Sequence, residues 1–163
     1  MAIDTGLKFH AGSCEENRIC EKKRHGFANC LNYGMIGSKI SMKEVFLMIR
    51  KPEEFTIEYK EHMRDGDGTV QLTHFIKGPE ELNGKGRLFS KITLNPGCSI
   101  GYHLHDKDAE LFYILKGTAE YNDNGEMKTV QAGDVTICPT GTCHGIANKT
   151  DEVVELVAVI VYA

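Results

Sequence analysis

Between Thr69 and Ile76 (TVQLTHFI) apolar and polar residues alternate, which puts Val70, Leu72, His74 and Ile76 on one face of a strand. After the loop KGPEELNGK a second strand runs from Arg87 to Leu94 and is stopped by Asn95-Pro96-Gly97. Short strands then follow at regular intervals, over 98–105, 109–116, 118–122, 126–131, 135–138, 143–148 and 153–162. Turn signals separate them, among them the hairpin dipeptide Asn124-Gly125 and the corner Ala132-Gly133-Asp134. Upstream, Pro52-Glu53-Glu54 can open one short helical turn, since proline suits the first helical position. Many short strands and no long helical period predict an all-β sandwich or barrel.

Residues 1–41 carry no sustained period, and the composition changes near residue 42. The expected organisation is an extension over 1–41, either flexible or upstream of a true start at Met42 or Met48, followed by one domain over 42–163.

Composition narrows the clients. The chain of 163 residues is 41% hydrophobic, carries a net charge of −4 and has no basic stripe or long run of one sign. Neither nucleic acid nor an anionic membrane is the expected partner; a small molecule is. No apolar run reaches membrane-spanning length, and the amino terminus lacks the apolar stretch of a secretory signal. A cytoplasmic location is therefore expected, with the six cysteines mostly free thiols or in part metal ligands. Asn148-Lys149-Thr150 matches a glycosylation sequon that stays idle in a cytoplasmic chain.

The candidate chemistry lies in the second half. His103 and His105, two apart in a strand, project from the same face. Glu110 follows across the link Asp106-Lys107-Asp108, and His144 comes from a distant hairpin just after the turn Pro139-Thr140-Gly141-Thr142. Three imidazole nitrogens and one carboxylate oxygen suit a divalent transition metal (manganese, iron, nickel, cobalt or zinc) and not calcium or magnesium. Four protein donors on an octahedral ion leave two positions for water or substrate.

The spacing around these residues resembles the two motifs of the cupin superfamily. Gly97, His103, His105, Glu110 and Gly117 reproduce G(X)5HXH(X)3,4E(X)6G over 97–117. Gly133, Pro139, Gly141, His144 and Asn148 reproduce G(X)5PXG(X)2H(X)3N over 133–148. The resemblance implies a double-stranded β-helix, the jelly-roll barrel of RmlC-like proteins, with His103, His105, Glu110 and His144 as metal ligands. It also implies a homodimer paired through outer sheets.

The wording of residues 86–117 is similar to small single-domain bacterial cupins described as oxalate decarboxylase-like. That similarity implies a metalloenzyme acting on a small carboxylic acid or an enediol, by decarboxylation or dioxygenation; the alternative is a protein that binds or senses such a ligand without turnover. Two departures bear on the choice. Ile100 stands where two-domain oxalate decarboxylases place a substrate-binding arginine, and no counterpart of their glutamate-bearing lid is visible. No catalytic or substrate-binding residue is therefore assigned.

Other signals are weaker. Cys20, His25 and Cys30 echo part of a zinc knuckle, but Asn17 stands where the first cysteine belongs and Cys14 lies too early. Cys138 and Cys143 bracket the turn before His144, as small hydrophobes or as groups that tune the site. His74 is read as a packed core histidine or a cavity wall. Arg87 and Lys91 are read as a solvated face or a means of neutralising an acid.

Overall fold

The computed structural model describes residues 49–163. The readings of residues 1–41, and of Cys14, Cys20, His25 and Cys30, fall outside that range. Ten strands are present among the described residues: β1 (Thr56–Glu61), β2 (Thr69–His74), β3 (Gly86–Leu94), β4 (Ser99–His105), β5 (Asp108–Lys116), β6 (Thr118–Asp123), β7 (Glu126–Gln131), β8 (Val135–Cys138), β9 (Thr142–Ala147) and β10 (Val154–Tyr162). They form two antiparallel sheets, one ordered β1-β2-β3-β10-β5-β8 and one ordered β4-β9-β6-β7. This is the all-β arrangement expected from the alternation, in the jelly-roll form that the cupin resemblance implies. No helix among the described residues is long and apolar enough to cross a membrane.

The alternation builds the interior directly. In β10, Val154, Leu156, Ala158 and Ile160 turn inward, and in β3, Ile92 and Leu94 do so beside them. Val154, Leu156, Ala158, Ile92 and Leu94, with Val70, Leu72, Phe112, Ile114 and Ile146, make one apolar cluster between the sheets. Full burial of such a side chain contributes roughly 1.5–3 kcal/mol relative to exposure. Tight corners close the strands. Gly97, Gly117, Gly133 and Gly141 all have positive φ, and a Cβ on Gly117 would come within 2.8 Å of the Val153 carbonyl. Asn124 and Gly125, with φ of 51° and 100°, form the hairpin between β6 and β7.

Two expectations need correction. The alternation read from Thr69 misses β1, because no residue of that edge strand is buried: Ile57 and Tyr59 are 55% and 66% exposed. The strand read to Ile76 ends at His74, where the chain leaves β2 and the Phe75 amide donates to the Phe89 carbonyl instead. Pro52–Glu54 is the expected single turn, a 3-10 turn with proline at its first position. Asn148 is completely buried, its amide donating to the carbonyls of Leu94 and Glu152, so it serves as scaffold.

Candidate metal centre

Three of the four expected donors are each placed by a different local device. Glu110 shares the inward face of β5 with Phe112 and Ile114, so the period of two that buries the core also delivers the carboxylate. His103 follows a β-bulge: β4 and β9 pair at Ile100–Ile146 and again at His103–His144, with an extra residue in β4 between. Gly101 lies in that bulge, pressed against the turn at Met63–Asp65 so closely that a Cβ would sit 1.9 Å from the Arg64 carbonyl. His144 is aimed by the Pro139–Thr142 turn, which is latched to β4 and β5. The Gly141 amide donates to the His105 carbonyl at 2.6 Å and the Thr140 hydroxyl to the Asp108 carbonyl at 3.0 Å.

The donor atoms converge. His105 Nε2 lies 3.2 Å from His103 Nε2 and 3.1 Å from His144 Nε2. Glu110 Oε2 lies 2.9 Å from His144 Nε2, 3.2 Å from His105 Nε2 and 3.9 Å from His103 Nε2. Among the described residues, these four form the group whose geometry could hold an ion. Transition metals bind nitrogen and oxygen at about 2.1 Å, which spaces neighbouring octahedral donors by about 3.0 Å. Four of the five separations match that spacing. The His103 side chain is 11% exposed, against 2%, 6% and 1% for His105, Glu110 and His144, so solvent reaches the donors from the side of His103.

Hydrogen bonds behind the rings fix which nitrogens face inward. His103 Nδ1 lies 2.9 Å from the Gly101 carbonyl, and only an N–H can bond that oxygen, so the proton sits there and Nε2 offers a lone pair. His105 Nδ1 donates to Asp108 Oδ1 at 2.5 Å, and Asp108 Oδ2 accepts from Arg87 Nε at 2.7 Å. His144 Nδ1 lies 2.9 Å from the Tyr121 hydroxyl, and Phe112 stacks on the same ring at 5.0 Å. Beside Tyr121, the Thr136 hydroxyl is a buried oxygen with no partner. Lone pairs and a carboxylate so close together repel unless a cation or shared protons lie among them. The donor chemistry fits a metal ion.

The electrostatics agree. Burial foremost lowers the pKa of His103. The hydrogen bond to Glu110 foremost raises that of His105, against its desolvation. Burial acts to raise Glu110, but the bonds from His105 and His144 outweigh it and hold the carboxyl below its ordinary value. Burial pushes the Tyr121 phenol up to about 12, so it stays protonated.

The weaker candidates separate. Cys138 is buried beside Glu110, but its thiol is engaged with Thr142; Cys143 pairs opposite Leu104 and is half-buried. Neither joins the donor cluster. Lys91 pairs with Glu155 on the outer face, whereas Arg87 turns to Asp108. His74 is half-buried, bonded to Ser90 and Glu58, and with Arg87 and Lys77 lines a cavity of about 330 Å³. Ile100 is a core residue at 3% exposure. The sequence reading missed Asp108, Tyr121, Gly101 and the role of Arg87. Only the placement of Asp108, three residues after His105, carried a local hint.

Comparison with known proteins agrees with this picture. The Cupin domain family matches residues 90–160. An oxalate-binding protein of Thermotoga maritima is 38% identical over 120 residues, 74% of this chain and 98% of that protein. A solved structure from the same organism, described as a predicted oxalate decarboxylase, aligns with a TM-score of 0.68 and 36% identity, over 71% of this chain and 100% of that one. An RmlC-like cupin from Shewanella frigidimarina, 21% identical with a TM-score of 0.52 over 71% of this chain and 91% of its own, shares the fold. The chain belongs to the cupin family.

Proposed function

We propose that His103, His105, Glu110 and His144 hold one divalent transition metal, manganese first, and that the loaded site binds a small dicarboxylate of the oxalate type. The observation that carries this reading is the convergence of three Nε2 atoms and one carboxylate oxygen in a buried cluster. Charge supports the ligand class. A divalent ion with one glutamate leaves a net positive site, while Arg87 offsets Asp108. The likeness to an oxalate-binding protein supports the same class. A metal bound there would supply Lewis acidity toward a carboxylate or carbonyl oxygen. The chain's own groups hold the three rings in register, shield three of the four donors from water and keep the Tyr121 proton in place.

Binding without turnover is the reading the residues favour. Ile100 fills the position of the missing arginine, and Tyr121 holds its proton too tightly to be a ready acid near neutral pH. The test is calorimetric titration of oxalate into manganese-loaded and metal-free protein. The expected result is saturable binding to the loaded form alone; equal binding to both, or to neither, overturns the reading. Release of carbon dioxide or uptake of dioxygen in the same mixture would move the protein to the decarboxylase or dioxygenase reading.

Homodimerisation through the outer face of the large sheet belongs to the same proposal. Phe89, Val159, Leu111 and Ile137 form one cross-strand row there, with Val157, Tyr113 and Val135 in the next. Val135 and Ile137 are 59% and 61% exposed, an apolar surface suited to a second copy. A cytoplasmic home is also proposed, and the free thiols of Cys98, Cys138 and Cys143 support it.

A further inference from the structure

The three imidazoles do not have equivalent partners behind them. His103 leans on a neutral carbonyl and His144 on a neutral phenol, but His105 donates to a carboxylate, Asp108. A carboxylate behind a ligating imidazole pulls on the Nδ1 proton and makes Nε2 a stronger donor. That carboxylate is itself shared. Its second oxygen accepts from Arg87, whose side chain is 38% exposed against 11% for Asp108. Arg87 is the extra residue where the register of β3 against β10 shifts, since Ile160 pairs with Leu88 and Val161 with Gly86. At its end β10 pairs Tyr162 with Asp108, so the bulged residue reaches past that strand to the carboxylate.

We infer that Asp108 and Arg87 act as an opposed pair on the metal affinity of this site: Asp108 strengthens His105 as a ligand, and Arg87 restrains that strengthening. The guanidinium competes with the His105 ring for the same carboxylate charge. Both groups are positioning residues acting through His105. The inference rests on the reading of the four donors as a metal site.

The test is cobalt(II) affinity by chelator competition, with the visible spectrum of the bound ion and the metal-free melting temperature recorded for every variant. Asp108→Asn should weaken binding by about 10- to 100-fold. Arg87→Gln should tighten it by about three- to tenfold, a change of opposite sign. Arg87→Lys, which keeps the charge, should stay near the parent. In the double variant the gain from Arg87→Gln should vanish, because no carboxylate charge remains to be released. A merely structural role would lower affinity and melting temperature together in both single variants, and that result overturns the inference. So does an Arg87→Gln variant that binds as the parent does or more weakly. Should Asp108→Asn fail to fold, the sign of the Arg87→Gln change decides alone. A parent protein that binds no cobalt defeats the metal reading itself and is thereby distinguished from failure of the pair.

Discussion

The two ends of the barrel interior, which share strand β5, are built on opposite principles. At one end, Leu72, Ile92, Leu94, Ile114, Val154 and Leu156 pack with almost no exposure, and any apolar side chain of similar volume serves. At the other, β4, β5 and β9 turn His103, His105, Glu110 and His144 toward one another at about hydrogen-bond distance. There the residue types matter, because buried donors facing each other carry a free-energy penalty that only a cation or shared protons offset. In β5 the two principles meet within five residues, Glu110 in the donor cluster and Phe112 and Ile114 in the core. The apolar end stabilises the fold; on the proposed reading, the polar end gives up part of that stability for an ion site.

Breaking the apolar end should have the largest effect. Leu72→Ala removes a side chain 1% exposed and should destabilise the protein by about 2–5 kcal/mol, read by denaturant unfolding of the metal-free form. The metal stoichiometry of its folded fraction should stay that of the parent. Breaking the polar end should do the reverse. His103→Ala should weaken metal binding by about 100-fold or more, while metal-free stability changes by less than about 1 kcal/mol, since the residue is half-buried on an edge strand. Comparable loss of stability in both variants would show that the two ends are not separable.

Acidity sharpens the comparison, because it acts on the polar end. His105 is held above its ordinary imidazole value by Glu110, so an incoming metal must displace a proton that free imidazole would already have lost. His103, lowered by burial, presents no such proton. Metal affinity should therefore rise with pH through the imidazole range and somewhat beyond, by at most about tenfold per pH unit for each proton displaced. Calorimetry in buffers of different ionisation enthalpy would count the protons; a flat profile between pH 6 and 8, conditions chosen for the test, would contradict the assignment. The smallest effect is expected outside both ends. We propose that residues 42–163 carry the function, so removing residues 1–41 should leave metal content and melting temperature nearly unchanged, and a fall in either would refute that boundary.

The two ends also differ in how far they could be read from sequence. Alternation in β3, β5 and β10 announces which residues are buried, because a period of two is a local property of a half-buried strand. The donors were legible for a different reason: their residue types stand at the spacing of the two cupin motifs. What stayed hidden depends on register between distant strands. Asp108 meets Arg87 only because β10 lies between β5 and β3, and Tyr121 meets His144 only because β6 pairs with β9. The bulge at Gly101, which aims His103, is likewise a property of the β4–β9 pair. Strand β1 escaped because an edge strand with no buried residue has no core face to betray it.

The most direct test of the metal assignment is anomalous diffraction from crystals of the full chain equilibrated with manganese(II). One peak should lie about 2.1 Å from the Nε2 atoms of His103, His105 and His144 and from a carboxylate oxygen of Glu110. No peak there, with the four groups bonded only to one another or to water, would contradict the account.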